Sequence, residues 1–204
     1  MDQSVREAPF PHPGAGRTLT SAGPTDVMPV RCFVGAFLEA ESARRLQSAA
    51  FAALGELLRR RDVRQVPLEN YHVTLKFLGE TPEDALAEAL ARVASLEAFS
   101  STGQTTGLVG FPRSAAARLV AAELTPEERL SGWWTALQSS FGAEDRDFRP
   151  HVTVVRCRRT RRFAALPLGE PVPLALGPPR LYRSDQTAHG ARYTPVTDPG
   201  GGSG

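Results

Sequence analysis

The chain is predicted to fold as an α+β domain with antiparallel sheets flanking a central cleft, and three observations carry this. Apolar, β-branched runs alternate with Ala/Leu-rich stretches of helical spacing, without the strict strand–helix–strand regularity of a parallel sheet. A His-x-Thr motif occurs twice inside such runs, in Tyr71-His72-Val73-Thr74-Leu75 and in Pro150-His151-Val152-Thr153-Val154. Each copy follows a helical stretch, so the chain carries a coarse internal duplication.

Taken in order, residues 1–28 are rich in Pro, Gly, Ser and Thr without periodicity and read as a disordered tail, where His12 has no assigned role. The folded domain is expected over 29–197. A first strand is predicted over 30–38, uncharged between Arg31 and Glu39. A helix over 40–61 follows from Leu46, Ala49, Ala50, Ala53, Leu54 and Leu57 at helical spacing. The first motif strand spans 71–78 and is ended by Gly79. Thr81 as N-cap and Pro82 at the first helical position then start a second helix reaching about 96. Strands near 105–111 and 118–124 come next. Thr125-Pro126-Glu127-Glu128, a cap, a proline and an acidic first turn, opens a third helix to about 141. The second motif strand spans 151–157, and the Pro-rich stretch beyond it predicts no element. Segments 179–183 and 192–196 close the domain as a hairpin whose turn exposes His189, and 198–204 reads as a flexible tail.

A chain of 204 residues with 41% hydrophobic and 23% charged content suits one sizeable core, or two small lobes sharing a cleft. Cys32 and Cys157 each fall in a predicted strand, which suits buried free thiols in a reducing compartment rather than a disulfide framework. No apolar run reaches the roughly 18 residues of a membrane span, and the N-terminus lacks a signal peptide's apolar core. A cytoplasmic monomer without membrane attachment is expected. The net charge of +2 names no partner, but Lys76 is the only lysine among 24 basic residues. Arg156, Arg158, Arg159, Arg161 and Arg162 crowd behind the second motif. That run reads either as a solvated loop or as a landing strip for nucleic-acid phosphates, which arginine binds in a bidentate way.

On a strand, residues i and i+2 share a face, so each motif aims an imidazole and a hydroxyl the same way. A lone histidine on an apolar strand is usually structural; two in matching contexts are hard to dismiss so. Metal ligation finds little support, since no H-E-x-x-H or paired-cysteine spacing occurs and only Asp145 and Asp147 lie just upstream of a motif. Neither metal nor cofactor is expected. Nucleophilic catalysis lacks a G-x-S-x-G elbow and a cysteine–histidine pairing. Acid–base chemistry on a phosphodiester fits best. A neutral imidazole takes a proton from water, a protonated one supplies the departing oxygen, and threonine hydroxyls hold the non-bridging oxygens. By parity Lys76 shares the face of His72 and Thr74, whereas Arg156 falls opposite His151 unless the strand twists or bulges.

With these residues the chain resembles the 2H phosphoesterases, and most closely the RNA 2′,3′-cyclic phosphodiesterases, also called 2′–5′ RNA ligases. His72-Val73-Thr74-Leu75-Lys76-Phe77-Leu78-Gly79-Glu80 is similar to that branch's first motif, and Phe148-Arg149-Pro150-His151-Val152-Thr153-Val154 with Arg156 to its second. Arg31-Cys32-Phe33-Val34 and Gly190-Ala191-Arg192-Tyr193 resemble its ends, so the likeness covers about 30–197; Cys32 and Gly35 depart from it as packing changes. The resemblance implies a bilobal, pseudo-twofold fold with helices outside. It also implies metal-free hydrolysis of RNA or oligonucleotide ends, opening a 2′,3′-cyclic phosphate to a 2′-phosphomonoester. Carried onto this chain, His72 and His151 are the catalytic pair, Thr74, Thr153 and Arg156 bind phosphate, and Phe33 stacks on the terminal base; Lys76 joins the phosphate binders through its face. His72 is expected to protonate the leaving O3′ and His151 to activate water. Run in reverse, the same groups would perform 2′–5′ ligation onto a 5′-hydroxyl. Two alternatives stay open: a nucleotide- or RNA-binding module with little turnover, and a 2H phosphodiesterase for a small nucleotide such as ADP-ribose cyclic phosphate.

Overall fold

In this computed structural model, which describes residues 29–96, 99–188 and 190–197, strand β1 (Val30–Phe37) forms on the uncharged apolar run and buries residues 32–36. The expected tails, His12 and the turn residue His189 lie outside the described residues. Helix α1 (Ala40–Leu54) buries Ala43, Leu46, Ala50 and Leu54, the spacing of one helical face. It ends sooner than expected, and Gly55–Arg59 continues as a 3₁₀ turn. Strand β2 (Val63–Gln65) is too short to leave a periodic signal. The first motif strand, β3 (His72–Thr81), runs on through Gly79. Thr81 therefore lies in a strand and gives its hydroxyl to the Gly79 carbonyl at 3.2 Å, so it caps nothing. Helix α2 (Leu86–Ala94) starts after a 3₁₀ turn at Glu83–Ala85.

Strands β4 (Ser101–Phe111) and β5 (Ala117–Glu123) follow, then the two-residue β6 (Thr125–Pro126). Thr125 pairs with Gln104 on β4 instead of capping, and α3 (Glu128–Phe141) begins beyond it. The second motif strand, β7 (His151–Arg161), takes in most of the arginine run, which is strand and not loop. The Pro-rich stretch also forms a strand, β8 (Leu166–Leu176), laid against β4 alone among the named strands. An edge tolerates prolines because one row of backbone donors goes unused there. Strands β9 (Arg180–Thr187) and β10 (Gly190–Pro195) close the chain as the expected hairpin.

All strands join one antiparallel sheet in the order β10-β9-β1-β3-β7-β5-β4-β6, with β2 on β7 and β8 on β4. Its two halves meet at a single residue pair, Val73 with Val152. Away from this hinge β3 and β7 part, and the cleft opens between them. Val73, Leu75, Val152 and Val154 point into the hydrophobic core, while α1 packs on β8, α2 on β9 and α3 on β3. No helix among the described residues is long and apolar enough to cross a membrane.

Both motif strands bulge at the same point. In the β1–β3 pairing Lys76 faces Val34 but Thr74 faces Gly35, so Leu75 is the extra residue. In the β5–β7 pairing Val155 faces Val120 but Thr153 faces Ala121, so Val154 is extra. Burial consequently runs half-buried, buried, half-buried, buried, buried, exposed along both 72–77 and 151–156. The bulge turns Lys76 and Val155 inward and brings Phe77 and Arg156 to the cleft.

Candidate active site

The hinge register sets the geometry. With Val73 opposite Val152 in an antiparallel pair, His72 lies across from Thr153 and Thr74 across from His151. Strand alternation turns all four away from the core, and they line one cleft of about 440 Å³. A local twofold between the two valines exchanges the copies.

Each imidazole is held by the backbone in the same way. Nδ1 of His72 is 2.8 Å from the Asn70 carbonyl oxygen, and Nδ1 of His151 is 2.8 Å from that of Arg149. A carbonyl can only accept, so Nδ1 carries the hydrogen in both rings. Nε2 is left over, bare when the ring is neutral and an N–H donor when it is charged.

The walls around the rings differ. His72 sits among Phe33, Phe37 and Tyr193, with ring centroids 5.0, 4.9 and 5.0 Å away. Gly35 makes room for this packing: a Cβ there would lie 2.9 Å from Phe33 Cε2 and 3.4 Å from His72 Cδ2. His151 stacks on Phe111 at 4.1 Å, and Glu123, opposite it on β5, pairs with Arg149 at 2.7 Å. Burial, reinforced by the charges of Arg156 and His151, pushes His72 down to about 4 against the pull of the Asn70 carbonyl. Burial also lowers His151, helped by Arg149 and Arg146 and opposed by the Arg149 carbonyl and the Glu123 carboxylate.

The bulge decides which further residues join. Arg156 reaches the cleft wall, on the face that simple parity denied it. Lys76, expected there, is corrected: it is buried, and its Nζ donates to Gln138 Oε1 at 3.0 Å and to the Gly142 carbonyl at 2.6 Å. It also pairs with Glu144 at 3.3 Å, tying β3 to the C-terminal end of α3, where a cation suits the helix dipole. Phe33 lines the cleft but is only 3% exposed, its ring packed on His72, Tyr182 and Tyr193. Little of its face is free for a base, and it serves as the wall behind His72. The cleft also holds Phe77, 54% exposed, together with Tyr193, Arg31 and Arg64, none of which the sequence reading assigned to the site. Of these, Phe77 had a signal in the sequence, because it stands five residues after His72 as Arg156 stands after His151. Among the described residues no three His, Cys, Asp or Glu gather as a group that could hold a metal ion.

Comparison with known proteins matches this architecture to one family. The family model for LigT-like phosphoesterases matches residues 38–119. An RNA 2′,3′-cyclic phosphodiesterase of Thermus thermophilus is 32% identical over 183 residues, covering 81% of this chain and 87% of its own length. Another, from Aeropyrum pernix, is 33% identical over 129 residues, covering 55% of this chain and 72% of its own length. A solved Thermus thermophilus structure superposes with a TM-score of 0.64 at 25% identity, over 82% of this chain and 95% of that one. E. coli LigT complexed with 3′-AMP gives a TM-score of 0.66 at 23% identity, over 83% and 96%, a likeness of fold. Identity sustained across most of both chains, on a fold with the same outline, means that the chain belongs to the LigT-like phosphoesterases of the 2H superfamily.

Proposed function

We propose that the protein hydrolyses 2′,3′-cyclic phosphates at RNA ends to 2′-phosphomonoesters, with its own side chains as acid, base and anion holders. One observation carries the reading: the Val73–Val152 register gathers two histidines and two threonines on one arginine-lined cleft. The names of the Thermus and Aeropyrum relatives support the substrate class.

The cyclic phosphate sits between the histidines, its non-bridging oxygens accepting from the Thr74 and Thr153 hydroxyls and from the Arg156 guanidinium. These donors stabilise the charge that builds as phosphorus becomes five-coordinate, each contributing about 2.7–4 kcal/mol if it behaves like an oxyanion-hole donor. His72, kept neutral by burial, takes a proton from water as the new P–O bond forms. His151, whose charged form Glu123 favours, gives its proton to O3′ as the P–O3′ bond breaks. A 2′-phosphomonoester and a 3′-hydroxyl result. This division is the reverse of the one expected from the motifs, because His72 has the drier surroundings. A 5′-hydroxyl in the place of water would give a 2′–5′ linkage by the same proton transfers. Phe77, and not the covered Phe33, offers the exposed ring on which the terminal base stacks.

Product analysis on a short RNA ending in 2′,3′-cyclic phosphate, run with EDTA present, tests this. A 2′-phosphate product is expected. A 3′-phosphate product, or loss of turnover with EDTA, would sink the proposal, and tight binding of 2′-AMP without turnover would favour a binding module.

A further inference from the structure

We infer that the cleft binds a second phosphate, carried on the 5′ oxygen of the reacting nucleotide and held by Arg64 with Arg31, so that the preferred substrate is an RNA chain end and not a cyclic mononucleotide. This rests on the hydrolase reading above.

Among the described residues the cleft lining contains three arginines, Arg31, Arg64 and Arg156, and no carboxylate. A cyclic phosphate is a monoanion, and Arg156 with a protonated imidazole already answers its charge. Arg64 stands directly opposite Arg156 in the β2–β7 pairing, so two like charges share one face at neighbouring positions. Such a pair is destabilising unless an anion lies between or beside the charges. Other arginines near the cleft have acidic partners: Arg161 with Asp62, Arg149 with Glu123, and Arg183 with Glu83. Among the described residues the side chains of Arg31, Arg64 and Arg156 make no hydrogen bond or ion pair, although Arg31 stands across from Glu80 in the β1–β3 pairing.

Arg64 is also seated rather than loose. Its guanidinium packs over Gly190 at the start of β10, where a Cβ would lie 2.8 Å from Nη2 and 3.0 Å from Cζ. Gly190 has φ 120°, a conformation that disfavours any side chain, so this position keeps the space open. The same turn is tied down by Asn70, whose Nδ2 donates to the Ala191 carbonyl at 2.9 Å. Ser184 and Gln186 line this end of the cleft and add neutral donors. A planar guanidinium held flat, with neutral donors beside it and no carboxylate, is built for a phosphate oxygen pair.

The test compares ligands that differ by one phosphate. Binding of 2′-AMP and of adenosine 2′,5′-bisphosphate is measured by calorimetry. Hydrolysis of 2′,3′-cyclic AMP, its 5′-phosphorylated form and the dinucleotide ApA 2′,3′-cyclic phosphate is followed in parallel. The 5′-phosphate is expected to tighten binding about tenfold and to raise kcat/KM similarly, with the dinucleotide gaining as much. In Arg64→Gln, and further in the double variant with Arg31→Gln, both ratios should fall towards one. Ratios near one in the unmodified protein would overturn the inference, as would ratios that survive both substitutions. A gain for the dinucleotide without one for the 5′-phosphate would assign the preference to the second nucleoside and equally overturn it. If no cyclic phosphate is turned over, the hydrolase reading fails, while the calorimetric ratio still decides the second phosphate.

Discussion

His72 and His151 share a backbone anchor but not an environment, and catalysis should show the difference. In the free protein His72 takes up a proton only near pH 4, and His151 loses its proton below the ordinary 6.5. The pH profile of kcat/KM should therefore be bell-shaped, with its acid limb near 4 and its alkaline limb beneath 6.5. That profile alone does not say which ring is the base, but the leaving group does. On a cyclic RNA end, His72→Ala and His151→Ala should each lose about 10²–10⁴-fold. On an aryl phosphodiester, whose phenolate departs without a proton, His151→Ala should recover most of its loss while His72→Ala stays impaired. Equal losses on both substrates for His151→Ala would refute the assignment. The two phenylalanines part in the same manner. Phe77→Ala should raise KM with kcat little changed, by the 1–3 kcal/mol typical of base stacking on an aromatic ring. Phe33→Ala removes a wall of His72 and should act mainly on kcat.

At the level of elements, the paired bulges determine what the cleft contains. Period-two reading of β3 and β7 places the histidines and threonines correctly, because all four precede the irregularity. It fails from the next residues on, sending Lys76 to the cleft and Arg156 away from it. A signal existed in the second copy, where Val154 and Val155 are adjacent, β-branched and both buried. The first copy disguises the same step, because its second inward residue is a lysine. Strand β8 leaves no sequence signal for another reason: its prolines argue against a central strand and are silent about an edge. The existence of the three helices and of the closing hairpin is legible from local spacing, but the helix starts are not, since Thr81 and Thr125 are drawn into strands instead of capping. Lys76 gives this scale its test. Lys76→Met should lower stability by about 1.5–3 kcal/mol in urea unfolding, the usual effect of losing hydrogen bonds to a charged group. Activity per folded molecule should stay near that of the unmodified protein. A large drop in kcat/KM without a drop in stability would return the lysine to the phosphate site.

For the whole molecule, joining two half-sheets at one residue pair brings the reactive groups to the point where the halves part. The same plan places both imidazoles in poorly hydrated ground, and folding is then linked to pH. His72 near 4 and His151 below 6.5 both have folded values under the 6.5 of an unfolded histidine. Between these limits the unfolded chain binds more protons than the folded one, so stability rises with pH through the window and falls as pH drops from 6.5 towards 4. Acidic groups shared by all variants add their own acid sensitivity, which a substitution at His72 leaves in place. His72→Gln removes only the buried titration. Urea unfolding at pH 7 and at pH 4.5 should show the unmodified protein losing more stability than His72→Gln, by on the order of 2 kcal/mol. Parallel losses in the two proteins would mean that His72 is hydrated enough to carry its charge, and its role as the neutral base would fall with that result.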